Sequence, residues 1–274
     1  MSEVSLVTTV GLDPILLHHF IKHYKSIGVD NFYVVVWGDS DRVKYDEIVE
    51  VLDTHGLEVY EDLRDTQSGV NYFLTDTYNR ITSTKPNDWW IVADLDEFVI
   101  FPKPLKQFID EINTDFVHGL MLDRIGENGE ISELKYDDNI WEIYPNVGFM
   151  NLFIRKNCLT WCGLIKGKIN LTVGQHDLIH DEPVNKKIVA QVHNFTWKKS
   201  DIEKTKYYKD LWKNDSNNWI GEYINVENYF DKISNIDIDD FRYRVERCPN
   251  DIYESYKPWK EIVSTLRIGG IKNE

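Results

Sequence analysis

The hydrophobic positions of the first hundred residues follow two alternating patterns. Short apolar runs rich in β-branched residues, such as VSLVTTV at 4–10, predict buried strands. Between them, apolar residues return every three to four positions, which predicts amphipathic helices. The pattern predicts strands over 4–10, 31–40, 57–62 and 89–98, and helices over 13–28, 44–56 and 67–83. Strands that alternate with helices in this way indicate a mainly parallel sheet with helices on both faces.

After residue 100 the connections become shorter and the pattern becomes mixed. A short helix is predicted over 104–112 and a strand over 117–125, and GENGE after that strand predicts a hairpin turn. Further strands are predicted over 148–156, 167–174 and 187–197, and a helix over 201–214. The simplest account is an α/β domain over 1–200 with a helical C-terminal extension over 201–274 packed on it.

Composition and charge exclude several classes of function. The chain of 274 residues carries a net charge of −15, so nucleic-acid binding through bulk electrostatics is not expected. The N-terminus has no basic region followed by an apolar stretch, and no window reaches the roughly 20 apolar residues of a membrane span. Cys158, Cys162 and Cys248 are few and odd in number, which fits a reducing compartment. We therefore expect a cytoplasmic protein without a transmembrane segment.

The stretch IVADLDEFVIF places Asp94, Asp96 and Glu97 directly after an apolar run. In parallel sheets the ligand lies beyond the carboxyl ends of the strands, where Thr8, Thr9 and Asp39 also fall. Asp94 and Asp96 are two residues apart, and two carboxylates that close repel unless a cation or a shared proton relieves them. Mg²⁺ or Mn²⁺, which prefer oxygen ligands, would supply that relief. A solvated turn that caps the following helix is the alternative, and these residues alone do not decide between the two.

Other side chains of the second half could complete such a site. His176 and His193 each follow a strand-like stretch, and either could approach the carboxylates in a folded α/β domain. Arg124, Lys166 and Lys168 supply positive charge for a phosphate or a carboxylate. Taken singly, each of these basic residues is more often a surface charge.

Four stretches together resemble the family 2-type glycosyltransferases of the GT-A fold, a Rossmann-related α/β architecture. The first is LLHHFIKHYKSIGVDNFYVVVWGDS, in which a helix leads into a strand with a terminal Asp. WWIVADLDEFV is similar to the D-x-D-E-F signature of that family, and MLDRIGENGEI is similar to a D-R-x-x-x-x-G element. The last runs from VGQH through VHNFTW into a Lys-rich helix. The resemblance covers residues 4 to about 208 and leaves 209–274 unassigned.

The resemblance implies a nucleotide-diphosphate sugar as donor, with a UDP-sugar expected, and Mn²⁺ or Mg²⁺ as the cofactor. Asp96 would bind the metal, Asp94 would share the metal or contact the ribose, and His193 would complete the coordination. Asp39, Thr8 and Thr9 would hold the nucleoside. Together with the basic residues and the second histidine, the predicted donor-binding set is Thr8, Thr9, Asp39, Asp94, Arg124, Lys168 and His176. The acceptor would be a hydroxyl of a glycan or a glycoconjugate.

The catalytic base is the least defined part of the prediction. An inverting enzyme needs a carboxylate that deprotonates the acceptor hydroxyl, and Asp123 and Asp181 are the two candidates. A sugar-phosphate nucleotidyltransferase is an alternative, although TTVGLDP lacks the glycine- and arginine-rich phosphate loop expected after its first strand. A catalytically silent relative that binds carbohydrate or serves assembly is the second alternative, against which the intact D-x-D argues.

Overall fold

A computed structural model describes residues 3–66, 70–149, 160–175, 177–179, 188–211 and 246–247 of the chain. Its N-terminal half is a parallel sheet in the order β3-β2-β1-β4. The strands of this half are β1 (Val4–Val10), β2 (Asn31–Gly38), β3 (Val59–Arg64) and β4 (Trp89–Val92). The helices that connect them are α1 (Pro14–Ser26), α2 (Tyr45–Thr54) and α3 (Val70–Ser83).

The helices cover both faces of this parallel half. Successive residues of a strand point to opposite faces, and the core divides accordingly into two clusters. Leu6 packs with Phe20 of α1 and Ile48 of α2, whereas Val7 packs with Tyr78 of α3. The chain therefore winds doubly around the sheet, and all four strands direct their carboxyl ends to the same edge.

The second half of the sheet is mixed, and β8 joins it to the first. β8 lies between β4 and β6 and is antiparallel to both. β6 also pairs in parallel with β9, and β9 pairs in antiparallel with β5. The elements are β5 (Glu97–Ile100), α4 (Leu105–Glu111), β6 (Phe116–Ile125), α5 (Ile140–Ile143), β7 (Asn146–Gly148), β8 (Thr160–Lys166), β9 (Ile188–Asn194), α6 (Lys199–Leu211) and β10 (Glu246–Arg247). The predicted fold class, an α/β GT-A-like domain with a mainly parallel central sheet, is confirmed, whereas most of the predicted helical C-terminal extension lies outside the described residues.

Three predicted elements differ from the structure. The stretch 89–98 is not one strand but two, β4 and β5, because a turn over 93–96 redirects the chain to a different partner strand. GENGE forms a short 3-10 turn over 127–129 rather than a tight hairpin, and α5 precedes the return strand β7. The stretch 167–174 contains turns and a single bridge between Leu171 and Leu178, and the strand β8 comes just before it.

The structure bears on several other predictions only in part. Of the strand predicted over 148–156, residues 150–156 lie outside the described ranges, as do Cys158, Cys248 and most of 212–274. α6 begins at the predicted domain boundary, and β10 from the C-terminal extension pairs with β7. Within the described ranges, no helix is long and apolar enough to cross a membrane. Cys162 is buried.

Candidate active site

The turn between β4 and β5, residues 94–97, is named the carboxylate turn here. It closes on itself through two hydrogen bonds, one from the Glu97 amide to the Asp94 carbonyl (2.9 Å) and one from the Asp94 amide to the Glu97 Oε2 (3.0 Å). The Phe195 amide donates to the Asp96 carbonyl (2.8 Å), which ties the turn to the segment after β9. Glu97 therefore holds the turn from within, and the Asp94 and Asp96 carboxylates lie at the carboxyl end of β4.

Burial and like charge raise the pKa values of two of these carboxyl groups. The pKa of Asp94 rises to about 6, chiefly because the group is buried and then because the Asp96 charge is near. Lys204 and the Tyr78 hydroxyl oppose this rise but do not cancel it. Burial, followed by the charges of Asp94 and Asp96, raises the pKa of Glu97 well above its usual range. Both shifts make the carboxyl groups of the turn harder to ionise than isolated ones.

Asp94 is held by a hydrogen-bonded chain that reaches β1. The Tyr78 hydroxyl, from α3, donates to Asp94 Oδ1 (3.2 Å) and lies 2.9 Å from the Thr9 Oγ1. Thr9 is a predicted site residue, whereas Tyr78 was not predicted. Thr8 points to the opposite face of β1, where its buried hydroxyl has no hydrogen-bond partner in the described part of the chain. Of the two threonines, Thr9 is the one on the side of the carboxylates.

Asp96 is contacted by the segment that follows β9 and by α6. The Thr196 hydroxyl donates to Asp96 Oδ2 (3.0 Å), and the Lys204 Nζ lies 3.3 Å from the same oxygen. Lys204 is also 3.5 Å from Asp201 Oδ1. The carboxylate proposed as metal ligand therefore already has a hydroxyl and an ammonium group beside it.

The contacts of Lys204 continue into a buried ionic network. Lys198 pairs with Asp201, and its Nζ lies 3.5 Å from Asp13 Oδ2. Asp13 caps α1 by accepting the Leu16 amide, and it also accepts the Ser200 hydroxyl (2.9 Å). The first helix, α6 and the carboxylate turn are thus linked through a chain of charges, of which Lys198 and Asp201 are almost completely buried.

The end of β2, where Asp39 was predicted to hold a nucleoside, is covered by α6. The Asp39 amide donates to the Tyr207 hydroxyl (3.3 Å), and the Arg42 guanidinium lies over the Tyr207 ring at 5.0 Å. Asp39 therefore lies on the same sheet edge as the carboxylate turn, and α6 contacts both places.

His193 lies with a cluster of rings rather than with the carboxylates. It is opposite Phe98 in the β5–β9 pairing, packs edge-on against Trp141 and has its Nε2 3.2 Å from the Gln191 Oε1. Burial, then the charges of Arg124 and His23, hold its pKa well below the usual range. Among the described residues, no group of three or more His, Cys, Asp or Glu side chains is placed to hold a metal. The predicted set of Asp94, Asp96 and His193 is therefore not gathered in this arrangement.

The other predicted residues lie in three different places. Asp123 is buried on β6 and accepts the Trp197 indole N–H (2.9 Å). Arg124, its neighbour, directs its guanidinium to the Trp141 ring at 4.9 Å. Lys168 pairs with Asp115 (2.7 Å) at the amino end of β4, the sheet edge opposite the carboxylates, so the structure does not bring it to the donor site. His176 and Asp181 lie outside the described residues.

The residues that are present fit a small divalent cation. Among the described residues, the ionic network brings three carboxylates, Asp13, Asp96 and Asp201, together with two ammonium groups, Lys198 and Lys204. Asp94 lies beside this network as a fourth carboxyl group. Asp94 and Asp96 offer the oxygen ligands that Mg²⁺ or Mn²⁺ takes, and such ions complete their shells with water and substrate phosphates. A bound ion there would stabilise negative charge on a departing diphosphate.

Comparisons with known proteins show distant likeness in structure only. No family model matches the chain, and no curated protein matches it either. Among solved structures, the chain is similar to 4-diphosphocytidyl-2C-methyl-D-erythritol synthase (12% identity, 46% of this chain and 61% of that one, TM-score 0.32). It is also similar to S. aureus TarS 1-349 (14%, 85% and 73%, 0.36) and to HddC from Yersinia pseudotuberculosis (14%, 78% and 99%, 0.33). These TM-scores are low, so inferences about function depend on the geometry of the site.

Proposed function

We propose that this protein is a metal-dependent glycosyltransferase, which moves a sugar from a nucleotide-diphosphate donor to a hydroxyl acceptor on a glycan or glycoconjugate. The observation that carries the proposal is the carboxylate turn, with the half-buried Asp94 and the buried Asp96 close together at the carboxyl end of β4. Placing neighbouring carboxylates out of full contact with water is costly, and a fold retains such an arrangement where a ligand uses it. The sequence resemblance described above supplies the class of ligand.

The proposed roles follow from position. Asp96 and Asp94 would hold Mn²⁺ or Mg²⁺, which when bound would supply positive charge for the diphosphate of the donor, with UDP as the expected nucleotide. Thr9 lies near the carboxyl end of β1 and Asp39 directly follows β2, and both would hold the nucleoside. Asp123 is the proposed base within the described ranges, and its hydrogen bond to Trp197 fixes its orientation. In an inverting reaction, Asp123 would take the proton of the acceptor hydroxyl while the hydroxyl oxygen attacks the sugar carbon from the side opposite the departing diphosphate.

A screen of nucleotide-sugars for release of the nucleotide tests this proposal. We expect release with one donor in the presence of Mn²⁺, its loss with EDTA, and its loss in Asp96→Ala. Asp110→Ala, which removes an exposed carboxylate from α4, is the matched control and should behave as wild type. Release that persists with EDTA and in Asp96→Ala would show that the carboxylate turn is not the donor-binding centre.

The same assay separates the two alternatives. A nucleotidyltransferase would form a nucleotide-sugar from a nucleoside triphosphate and a sugar phosphate, with release of pyrophosphate. A catalytically silent relative would bind carbohydrate without releasing a nucleotide from any donor. Either result, obtained with folded wild-type protein, would replace the glycosyltransferase assignment.

A further inference from the structure

Helix α6 is fixed along the carboxyl edge of the sheet at two places. At its N-terminal end, Lys198 lies between Asp201 and Asp13, and both Lys198 and Asp201 are almost completely buried. Two turns further along, Tyr207 accepts the Asp39 amide and lies under Arg42. The helix is thus attached to the carboxyl end of β2 and to the beginning of α1 by contacts that involve no ligand.

Lys204 lies between these two attachments and on the same face of the helix. Residues three apart on a helix are neighbours, so Asp201, Lys204 and Tyr207 form one row. The Lys204 side chain is 29% exposed, whereas that of Lys198 is 1% exposed. The two lysines of the network therefore differ: Lys198 is enclosed, and Lys204 reaches Asp96 from a position that solvent also reaches.

The position of Lys204 has an electrostatic consequence. Its ammonium group is 3.3 Å from the Asp96 oxygen that also accepts the Thr196 hydroxyl. A divalent cation bound to Asp96 would lie close to this ammonium group, and the two positive charges would repel each other. A donor diphosphate on the cation would place negative oxygens nearby. Lysine suits such an exchange because its ammonium is a compact charge on a flexible stem, and it is a common phosphate ligand.

We propose that Lys204 is a donor-binding residue that exchanges partners, pairing with Asp96 before the cation binds and with the donor diphosphate afterwards. This inference rests on the proposed function, because it concerns the same site. It assigns α6 a direct part in recognising a nucleoside diphosphate. It also makes Lys204 a competitor of the metal when no nucleotide is present, and this is the feature that an experiment can isolate.

The test is a pair of titrations on wild type and Lys204→Met. In the first, Mn²⁺ alone is titrated, and the variant should bind it about threefold more tightly because a partly exposed ion pair no longer competes. In the second, UDP is titrated at saturating Mn²⁺, and the variant should bind it about tenfold more weakly, which corresponds to about 1.4 kcal/mol. Opposite changes are not expected from simple damage to the fold, which would weaken both.

Two further variants keep the result interpretable. Lys206→Met removes the same charge from an exposed position on the same helix and should change neither dissociation constant. Lys204→Arg keeps the charge and should retain most of the UDP affinity. If Lys204→Met weakens both ligands together, or leaves UDP binding unchanged, the exchange of partners is wrong while the proposed function stands. If folded wild type binds neither Mn²⁺ nor UDP, with GDP as the second nucleotide probe, the proposed function itself fails and takes this inference with it.

Discussion

The two edges of the parallel half of the sheet differ in how deeply their ion pairs are buried. At the amino edge, Lys168 and Asp115 pair in solvent, with 54% and 47% of their side chains exposed. At the carboxyl edge, the Lys198 and Asp201 side chains pair almost without exposure, and both contact further charges. Exposed pairs contribute little to stability, whereas buried ones are costly to assemble and costlier to break.

This difference indicates where the fold is constrained by more than packing. Hydrophobic side chains of similar volume often serve stability as well as a buried ion pair does. The carboxyl edge nevertheless keeps a network of charges around the carboxylate turn. The amino edge of the same strands has no such arrangement among the described residues. The contrast supports the ligand site proposed at the carboxyl edge.

The largest expected effect comes from breaking one pair at each edge. Lys198→Met removes the closer of the two ammonium partners of Asp201 and the ammonium partner of Asp13, and we expect a loss of about 3–5 kcal/mol in the free energy of unfolding. Lys168→Met at the amino edge should cost less than about 0.5 kcal/mol. Urea unfolding of both variants measures the two values. Equal losses at the two edges would contradict the contrast.

Burial of a titratable side chain also makes stability depend on pH, and His23 is the example in the core. His23 is fully enclosed, its Nε2–H donates to the Val99 carbonyl (2.9 Å), and burial lowers its pKa to about 4. Between pH 6.5 and pH 4, His23 binds a proton in the unfolded chain but not in the folded chain. Stability should therefore fall by about 3 kcal/mol between pH 6.5 and pH 4 and level off below that.

The variant His23→Gln separates the contribution of His23 to the pH dependence of stability from the contributions of the other histidines. The variant should lose its share of the pH dependence, so that the difference in unfolding free energy between wild type and variant shrinks as the pH falls through this window. The measurement is denaturant unfolding at several pH values between 7 and about 4. A constant difference across the window would mean that His23 takes up its proton normally in the folded protein.

A smaller change in the free energy of unfolding is expected from removing a tyrosine hydroxyl of α3, and it should differ between Tyr78 and Tyr72. Tyr78 connects Thr9 to Asp94 through its hydroxyl, whereas Tyr72 is 58% exposed. Tyr78→Phe and Thr9→Val should each cost about 1 kcal/mol, and the double variant should cost less than the sum because both remove the same hydrogen bond. Tyr72→Phe should leave stability unchanged. Additive losses from Tyr78→Phe and Thr9→Val in urea unfolding would mean that the hydroxyl of Tyr78 does not link the two sites.

Local signals predicted the parallel half well. The helix predicted over 13–28 begins where expected, with Asp13 as its N-cap and Pro14 as its first residue. The apolar run before Asp94 likewise predicted a strand whose carboxyl end carries charge. The break inside WWIVADLDEF carries no such signal, because it depends on Glu97 accepting the Asp94 amide and on pairing between β5 and the distant β9.

The partners of the carboxylates were harder to predict because they come from far along the chain. The stretch VHNFTWKK was selected for His193, but the described contacts with Asp96 come from Thr196 and from Lys204 beyond it. The helix itself was predicted over 201–214. In retrospect, its polar face also carries a signal, because Asp201, Lys204 and Tyr207 recur every three residues and form one polar row. Their targets, however, are set by tertiary packing alone.

The most direct test of the central claim is nucleotide binding with and without a divalent cation. Wild type should bind UDP with Mn²⁺ present and lose most of that affinity in EDTA. Asp96→Asn, which keeps the shape of the side chain and removes its charge, should remain folded and bind UDP equally poorly under both conditions. UDP binding that is the same with Mn²⁺ and with EDTA, and is unchanged in Asp96→Asn, would contradict a cation-bridged donor at the carboxylate turn.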